Sequence, residues 1–343
     1  MINKTIFRGI QNLFLSKTNK FDLFSNYFSA FFKTPLATHP LEIQVEPSAI
    51  CNLKCRMCSL NKSTGNKKFL TPQDLVVIID KFKPNSINLT GMGETLLNPH
   101  FEKLLKICFD RKIKTSFITN LQLLNSHHLI AIKKYPPTTI SISMESGYQK
   151  KYNLIRNGAN LKITHQKIKE LVTFINKNSL NTQVIINIVY LNFNLKDIKH
   201  LKKIIGLASK LGISKITSQN INRLSPYIKS LYKSQKIKNI FNEIEYYSQS
   251  KKIDLILPSS TISQNKCFYP WVYPQITATG EILPCCLIPQ FGNYDQIIKK
   301  YTFGNILHNS LNNTWNSQKA KKFRLLHPNL SPCHYCSKNQ GVL

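Results

Sequence analysis

The stretch Cys51-Asn-Leu-Lys-Cys55-Arg-Met-Cys58 sets three thiols at offsets of four and three within one short segment. It follows an apolar run, Leu41 to Val45, with Glu46-Pro47-Ser48 between them as a loop. Three thiolates on one tight loop suit an iron–sulfur cluster with one iron left open, because such clusters are held by cysteine thiolates and usually take four. A structural zinc site is the alternative. It normally draws on paired C-x2-C units or adds histidines, and no histidine lies near this loop in sequence. The spacing favours the cluster.

Working outward, the 343-residue chain has room for one large domain or two ordinary ones, and 42% hydrophobic residues suffice for a buried core. Its nine cysteines are clustered, five of them at or after Cys267. The first residues show no apolar signal core with a small-residue cleavage site, and no apolar run approaches the ~18 residues of a membrane span. A reducing, cytoplasmic setting is therefore expected, where clustered thiols bind metal more often than they form disulfides. The net charge of +31 admits a nucleic-acid partner. The lysines are scattered and not massed in a stripe, so the charge reads first as a compositional bias shared with asparagine and isoleucine.

Residues 1–40 are rich in phenylalanine, and Ile6, Ile10 and Phe14 recur at four-residue spacing, as in a short amphipathic helix. Contact of residues 1–32 with a membrane surface is one reading; packing against the following domain is the favoured one. From Leu41 on, strands and helices alternate. Thr71-Pro72-Gln73-Asp74 opens a helix: threonine caps, proline takes the first helical position, and an acid sits in the first turn. Strands are expected at 86–90, 114–119, 139–144, 182–191 and 215–218, and helices at 101–109, 126–134, 163–177 and 195–211. This is the pattern of βαβ units around a parallel sheet. About six units fit before residue 220, fewer than a closed eight-unit barrel needs. The expected fold is α/β, an incomplete (β/α)6 TIM-like barrel over 41–257, followed by a small cysteine-rich α+β domain over 258–343. A helix (237–247) and a strand (253–257) close the first part, and Thr279-Gly280 marks a hairpin in the second. Glu94, Asn120, Ser143 and Glu145 all end or follow predicted strands, the edge where such sheets bind ligands.

C-x3-C-x2-C on the first βα loop of an incomplete barrel resembles the radical S-adenosylmethionine (SAM) superfamily. Gly91-Met92-Gly93-Glu94 is similar to that family's GGE motif, and Ile118-Thr119-Asn120 to its threonine–asparagine element. Ile140 to Gly147, Tyr152 and Ile155-Arg156-Asn157-Gly158 resemble its S-I-D-G…Y…I-R-x-G segment. Four motifs in order over roughly 41–220 make the match specific. The resemblance implies that Cys51, Cys55 and Cys58 hold a 4Fe–4S cluster whose open iron is chelated by SAM. Reduction of the cluster then cleaves SAM to methionine and a 5′-deoxyadenosyl radical, which takes a hydrogen atom from substrate. It implies that Glu94, with the Gly93 backbone, binds the methionyl ammonium, since a carboxylate is an acceptor-only group. Ser143 and the planar fork of Arg156 would face the methionyl carboxylate, and Asn120 the ribose or methionyl region. It also implies an electron donor such as flavodoxin or ferredoxin. Met92, Thr95, Met57 and Glu145 depart from the common pattern, but none removes a cluster ligand.

The last segment carries Cys267-Phe-Tyr-Pro-Trp, Gly280-x4-Cys285-Cys286, Phe303-Gly304-Asn305-Ile306, Trp315 and Cys333-His-Tyr-Cys336. It resembles the SPASM/twitch extension of radical SAM enzymes, in the shorter one-cluster form. Cys267, Cys285, Cys333 and Cys336 would then hold an auxiliary 4Fe–4S cluster; a zinc ribbon is the alternative for the same four thiols. Cys286 points the opposite way from Cys285 on an extended chain and is left out. Cys108 falls on an apolar helix face and reads as a core residue; His334 reads as a loop residue. The resemblance implies hydrogen abstraction from a small sugar- or cyclitol-like molecule or from a peptide, with net oxidation through the auxiliary cluster. An RNA-modifying enzyme and a non-catalytic metal-binding protein are the competing readings.

Overall fold

The computed structural model describes residues 20–63, 65, 68–190, 198–220, 235–258, 267–334 and 336. The expected helix around Ile6, Ile10 and Phe14, and the first turn of the helix expected from Leu195, lie outside the described residues.

The strands follow the order expected from the sequence: β1 (Glu42–Val45), β2 (Ser86–Leu89), β3 (Lys114–Thr119), β4 (Thr139–Ser143), β5 (Gln183–Tyr190), β6 (Lys215–Asn220), β7 (Asp254–Ile256), β8 (Gln275–Ile276) and β9 (Ile282–Leu283). They form one nine-stranded sheet in the order β9-β8-β1-β2-β3-β4-β5-β6-β7. Neighbours from β8 through β7 pair in parallel, and only β9 runs antiparallel, to β8. The sheet is not closed, so the barrel is partial, as expected. The hairpin around Gly280 is not a separate layer. Gln44 and Val45 pair with Gln275 and Ile276, so the C-terminal segment extends the sheet at its β1 edge.

Crossover helices cover one face: α1 (Lys20–Phe32) leads in, followed by α2 (Pro72–Phe82), α3 (Phe101–Asp110), α4 (Ser126–Lys134), α5 (Gln149–Ile155), α6 (Leu161–Lys177), α7 (Ile198–Lys210) and α8 (Gln235–Ser250). Their starts are written locally. Thr71 Oγ1 accepts from the Asp74 amide at 3.1 Å, and the Asp74 carboxylate accepts from the Thr71 amide and hydroxyl, a capping box that satisfies amides a helix start leaves unpaired. The strand period of two then sorts the sheet's faces. Ile43 and Val45, Ile87 and Leu89, Ile140 and Ile142, and Ile186 and Ile188 are buried in the core cluster with Leu75, Ile78, Leu104 and Leu105 of the helices. Each such side chain contributes roughly 1.5–3 kcal/mol on full burial. The alternate positions Gln44, Asn88, Ser143, Asn187 and Gln219 are polar and line a cavity on the inner face.

Helix α9 (Tyr269–Val272) precedes β8, and beyond β9 come α10 (Tyr294–Tyr301), α11 (Leu311–Trp315), α12 (Gln318–Leu326) and α13 (Ser331–His334). This part grips the N-terminal leader. The indoles of Trp271 and Trp315 donate to the carbonyls of Thr34 and Thr38, both at 2.9 Å. Arg324 donates to the carbonyls of Pro35 (3.1 Å) and Pro270 (2.9 Å). Arg324 is fully buried and has no carboxylate partner among the described residues; it lies over the Trp315 ring at 4.3 Å, and burial lowers its pKa to about 9. The stretch 34–38 thus packs on the C-terminal part of the chain; the leader helix whose packing the sequence addressed lies outside the described residues. No described helix is long and apolar enough to cross a membrane.

Candidate functional site

The cysteine loop leaves β1 and is sewn to the segment after α5. Lys54 and Cys55 pair antiparallel with Asn157 and Arg156, and the Arg56 amide donates to the Ile155 carbonyl at 2.8 Å. The loop after β2 docks against the same approach. The Glu94 amide donates to the Ile50 carbonyl at 2.8 Å. A Cβ on Gly93 would lie 2.0 Å from the Ser48 carbonyl oxygen, so only glycine fits there.

These two loops and the ends of β3 and β4 enclose a cavity of about 1390 Å³. Of the barrel residues singled out in the sequence, Cys51, Cys55 and Cys58, then Gly93, Glu94, Asn120, Ser143 and Arg156 line it, and Glu145 does not. Burial pushes the thiols up, Cys51 to about 12 and Cys58 to about 11, with Cys55 also raised. They are the donor set a thiophilic cluster displaces protons from on binding. The cavity continues past them, which gives an open iron somewhere to bind a further ligand.

Glu94 is buried and held rigidly. Its carboxylate accepts from the Asn120 amide (2.8 Å), the Leu96 amide (3.1 Å) and the Thr119 hydroxyl. Burial raises its pKa, and these hydrogen bonds oppose the rise. Asn120 donates its side-chain amide to Asn52 at 2.9 Å and accepts from the Gln122 amide at 3.0 Å. It therefore ties the cysteine loop to the Glu94 site, a positioning task more than a ligand contact. Arg156 is aimed by Glu145, which the sequence placed at the ligand-binding strand edge and marked as a departure from aspartate, without a partner. The guanidinium forks onto this fully buried carboxylate, with Nη2 2.7 Å from Oε1 and Nε on Oε2, and Nη1 lies 3.7 Å from the Cys55 sulfur. Ser143 lines the cavity at the end of β4, its carbonyl accepting from the Tyr152 hydroxyl at 3.4 Å.

Cys267, Cys285, Cys333 and Cys336 line a second, small pocket together. Cys286 lines the large cavity instead; the two thiols diverge at a turn just past the strand end and not along an extended chain. Cys108 is in the core.

Two residues escaped the sequence. His327 is buried against the four-cysteine pocket, its Nε2 3.0 Å from the Cys267 carbonyl and its Nδ1 3.3 Å from the Cys333 sulfur. A carbonyl only accepts, so Nε2 carries the proton and Nδ1 presents its lone pair to the thiol. Burial lowers the His327 pKa to about 4. Glu46, fully buried just past β1, accepts from the Met92 amide (2.6 Å), the Ala278 amide (3.3 Å) and the Tyr294 hydroxyl. One carboxylate thus ties the Gly91–Glu94 loop to the hairpin leading to Cys285. An acid directly after an apolar strand was the signal available. Glu46→Ala leaves those donors buried without an acceptor and is expected to cost roughly 3 kcal/mol or more. Tyr294→Phe, which removes one donor, should cost about 1 kcal/mol in the same denaturation series. Equal losses would show that the side chain only fills space.

A family model for the radical SAM superfamily matches residues 45–205, and a SPASM iron–sulfur cluster-binding domain model matches residues 267–337. The chain is 23% identical over 328 residues to the tungsten-containing aldehyde ferredoxin oxidoreductase cofactor-modifying protein of Pyrococcus furiosus, covering 86% of each. It is 22% identical over 290 residues to the antilisterial bacteriocin subtilosin biosynthesis protein AlbA of Bacillus subtilis, 82% of this chain and 61% of AlbA. Its fold is similar to Streptococcus suis SuiB, solved with the precursor peptide SuiA, at TM-score 0.67 and 18% identity over 95% of this chain and 76% of SuiB. The cofactors that go with these domains are a 4Fe–4S cluster with SAM and auxiliary iron–sulfur chemistry, which the two separate thiol sets fit. The chain belongs to the radical SAM superfamily and carries a C-terminal SPASM iron–sulfur domain.

Proposed function

We propose that this radical SAM enzyme abstracts hydrogen from a peptide and oxidises it, with the auxiliary domain as electron acceptor. In this reading Cys51, Cys55 and Cys58 hold the SAM-binding 4Fe–4S cluster, and Cys267, Cys285, Cys333 and Cys336 hold a second one. SAM bound at the first cluster supplies a 5′-deoxyadenosyl radical. The protein's own work is placement and exclusion of water. Glu94, held by Thr119 and Asn120, receives the ammonium of SAM beside the Gly93 backbone. Arg156, locked by Glu145, offers Nη1 towards the carboxylate of SAM, with Ser143 on the neighbouring strand end.

The observation that carries the reading is one cavity shared by both halves of the chain. Its lining runs from the three barrel cysteines to Tyr269, Tyr273 and Cys286 of the auxiliary segment. At about 1390 Å³ it exceeds the ~300–1,000 Å³ usual for a small-molecule site, and SAM fills only part. Its strand-borne carboxamides, Gln44, Asn88, Asn187 and Gln219, match the donor–acceptor pairs of a peptide backbone. The likeness to AlbA and SuiB supports a peptide. A small-molecule substrate is the second reading, supported by the similarity to a cofactor-modifying protein across 86% of its length.

Anaerobically reconstituted protein is expected to bind about eight irons, two four-iron clusters. Iron near four with zinc in the remainder would remove the auxiliary electron acceptor. With reductant and SAM, the enzyme is then incubated with the low-molecular-weight fraction of cells grown on deuterated medium. Deuterium in 5′-deoxyadenosine that disappears when this fraction is first digested with protease supports a peptide; transfer that survives digestion supports the second reading.

A further inference from the structure

The large cavity does not stop beneath the cysteine loop. At that end the Met92 carbonyl lies 3.8 Å from the Cys58 sulfur, and Thr90, two residues earlier, lines the wall. Asn88 and Ser86 line it next, at the strand period of two. Gln44 and Glu42 do the same on β1, where they pair in register with Asn88 and Ser86. The cavity therefore runs the length of β2, about 13 Å from Thr90 to Ser86. It reaches the N-terminal ends of the strands, the edge opposite the cysteines.

This far end is basic. Lys114 opens β3 and pairs in register with Ser86. Arg111 and Lys112 form the turn before it, and all three side chains are exposed and line the cavity. The turn is fixed by its backbone: the amides of Lys112 and Ile113 donate to the carbonyls of Phe109 and Cys108, both at 2.9 Å. Glu42 is the one acid among the described lining residues at this end, and it feels the charge of Lys114. Arg111 is shared with Asp80 of α2 at the surface. Lys112 has no ion-pair partner among the described residues. In a chain of net charge +31 a scattered lysine means little. Three basic side chains against one acid on the wall of the substrate cavity are different, because a cleft of one sign focuses its field on what enters it.

We propose that this end of the cavity receives an acidic stretch of the substrate peptide. The inference rests on the peptide reading above and adds a composition to it. An extended peptide covers the ~13 Å between the two ends in about four residues. The acids then stand about four or more positions from the residue that loses hydrogen. The carboxamides of Gln44 and Asn88 line the stretch between, where the peptide's own N–H and C=O groups cross. Attraction at the far end thus sets the register of the substrate under SAM, from a point remote from the chemistry.

The probe is a synthetic pool of nonapeptides with randomised sequence, passed under anaerobic conditions over the immobilised, iron-loaded full chain with SAM present. Retained peptides are sequenced by mass spectrometry. Aspartate and glutamate are expected to be enriched roughly threefold to tenfold, the scale on which exposed charge pairs act, and less so as salt rises. Lys112→Gln, Lys114→Gln should abolish the enrichment. Lys169→Gln, Lys177→Gln, two exposed lysines on α6 away from the cavity, should keep it. No enrichment of acids, enrichment that survives the first pair of substitutions, or equal loss with both pairs overturns the proposal. Binding is read here without turnover. Acid-selective retention with no deuterium transfer from any retained peptide would therefore overturn the oxidation reading and leave this one standing, whereas retention indifferent to acids overturns this one alone.

Discussion

Replacing Cys55 by alanine is expected to reduce formation of 5′-deoxyadenosine to background and to lower iron from about eight to about four per chain. The reason is geometric. Cys55 is the middle thiol of the loop and is locked by backbone pairing with Arg156, so neither flanking cysteine can shift to replace it. Two thiolates do not retain a four-iron cluster that already lacks a protein ligand at one iron. Fold loss is not the cause to be feared, since removing one buried sulfur falls within the ~0.5–3 kcal/mol of ordinary substitutions. The contrasting substitution is Cys286→Ala. Cys286 lines the large cavity while its neighbour Cys285 lines the four-cysteine pocket, so this variant should keep about eight irons and cleave SAM. Cleavage that persists in Cys55→Ala would remove the loop from the chemistry. Loss of iron in Cys286→Ala would move Cys286 into the auxiliary ligand set.

The barrel was legible because its two periods are local. A capping threonine followed by an apolar helix stripe, and β-branched runs ending in polar residues, are written within ten-residue windows, and β3 and α4 fall where the sequence placed them. The cavity residues were legible for a related reason. Cys51–Cys58, Glu94, Asn120, Ser143 and Arg156 all stand at strand ends or on the loops beyond them, and parallel strands bring those ends to one edge whatever the loop lengths.

What escaped is non-local pairing. Nothing near Gln275 announces that its partner is Gln44, more than two hundred residues earlier, so the sequence did not show that this hairpin, within the SPASM-matched residues, also extends the main sheet. Glu46 escaped for the same reason, as did the partner of Glu145. A lone acid reads as solvated until the structure shows Tyr294, or the Arg156 fork, closing over it. His327 lies six residues from Cys333 in sequence, but it reaches that sulfur only because α12 and α13 fold back on Cys267. The division at residue 40 also hid a contact. The leader reads as an appendage, yet two tryptophans and a buried arginine of the last hundred residues hold it in place.

Glu145→Ala is expected to be the most destabilising single change in the site, by roughly 3–5 kcal/mol, because it leaves the Arg156 guanidinium buried without its carboxylate. Glu145 is fully buried and Arg156 nearly so, and the pair is joined by two hydrogen bonds. Solvent cannot take over from the lost acid. The pair itself need not stabilise the fold in net terms, since two charges were taken out of water to form it. The double variant Glu145→Leu, Arg156→Met separates the two effects. It removes both charges at similar volume and should recover at least half of the stability lost in Glu145→Ala, read by chemical denaturation under anaerobic conditions. SAM cleavage should not recover with it, because the group proposed to face the SAM carboxylate is then gone. Stability that returns together with full SAM affinity would leave Arg156 a structural partner of Glu145 and nothing more. Stability that fails to return would mean that the site depends on the packing of these side chains and not on their charge. In the expected outcome, an ion pair that adds little to the fold is kept because it holds one guanidinium edge, Nη1 beside the Cys55 sulfur, in the lining of the cavity.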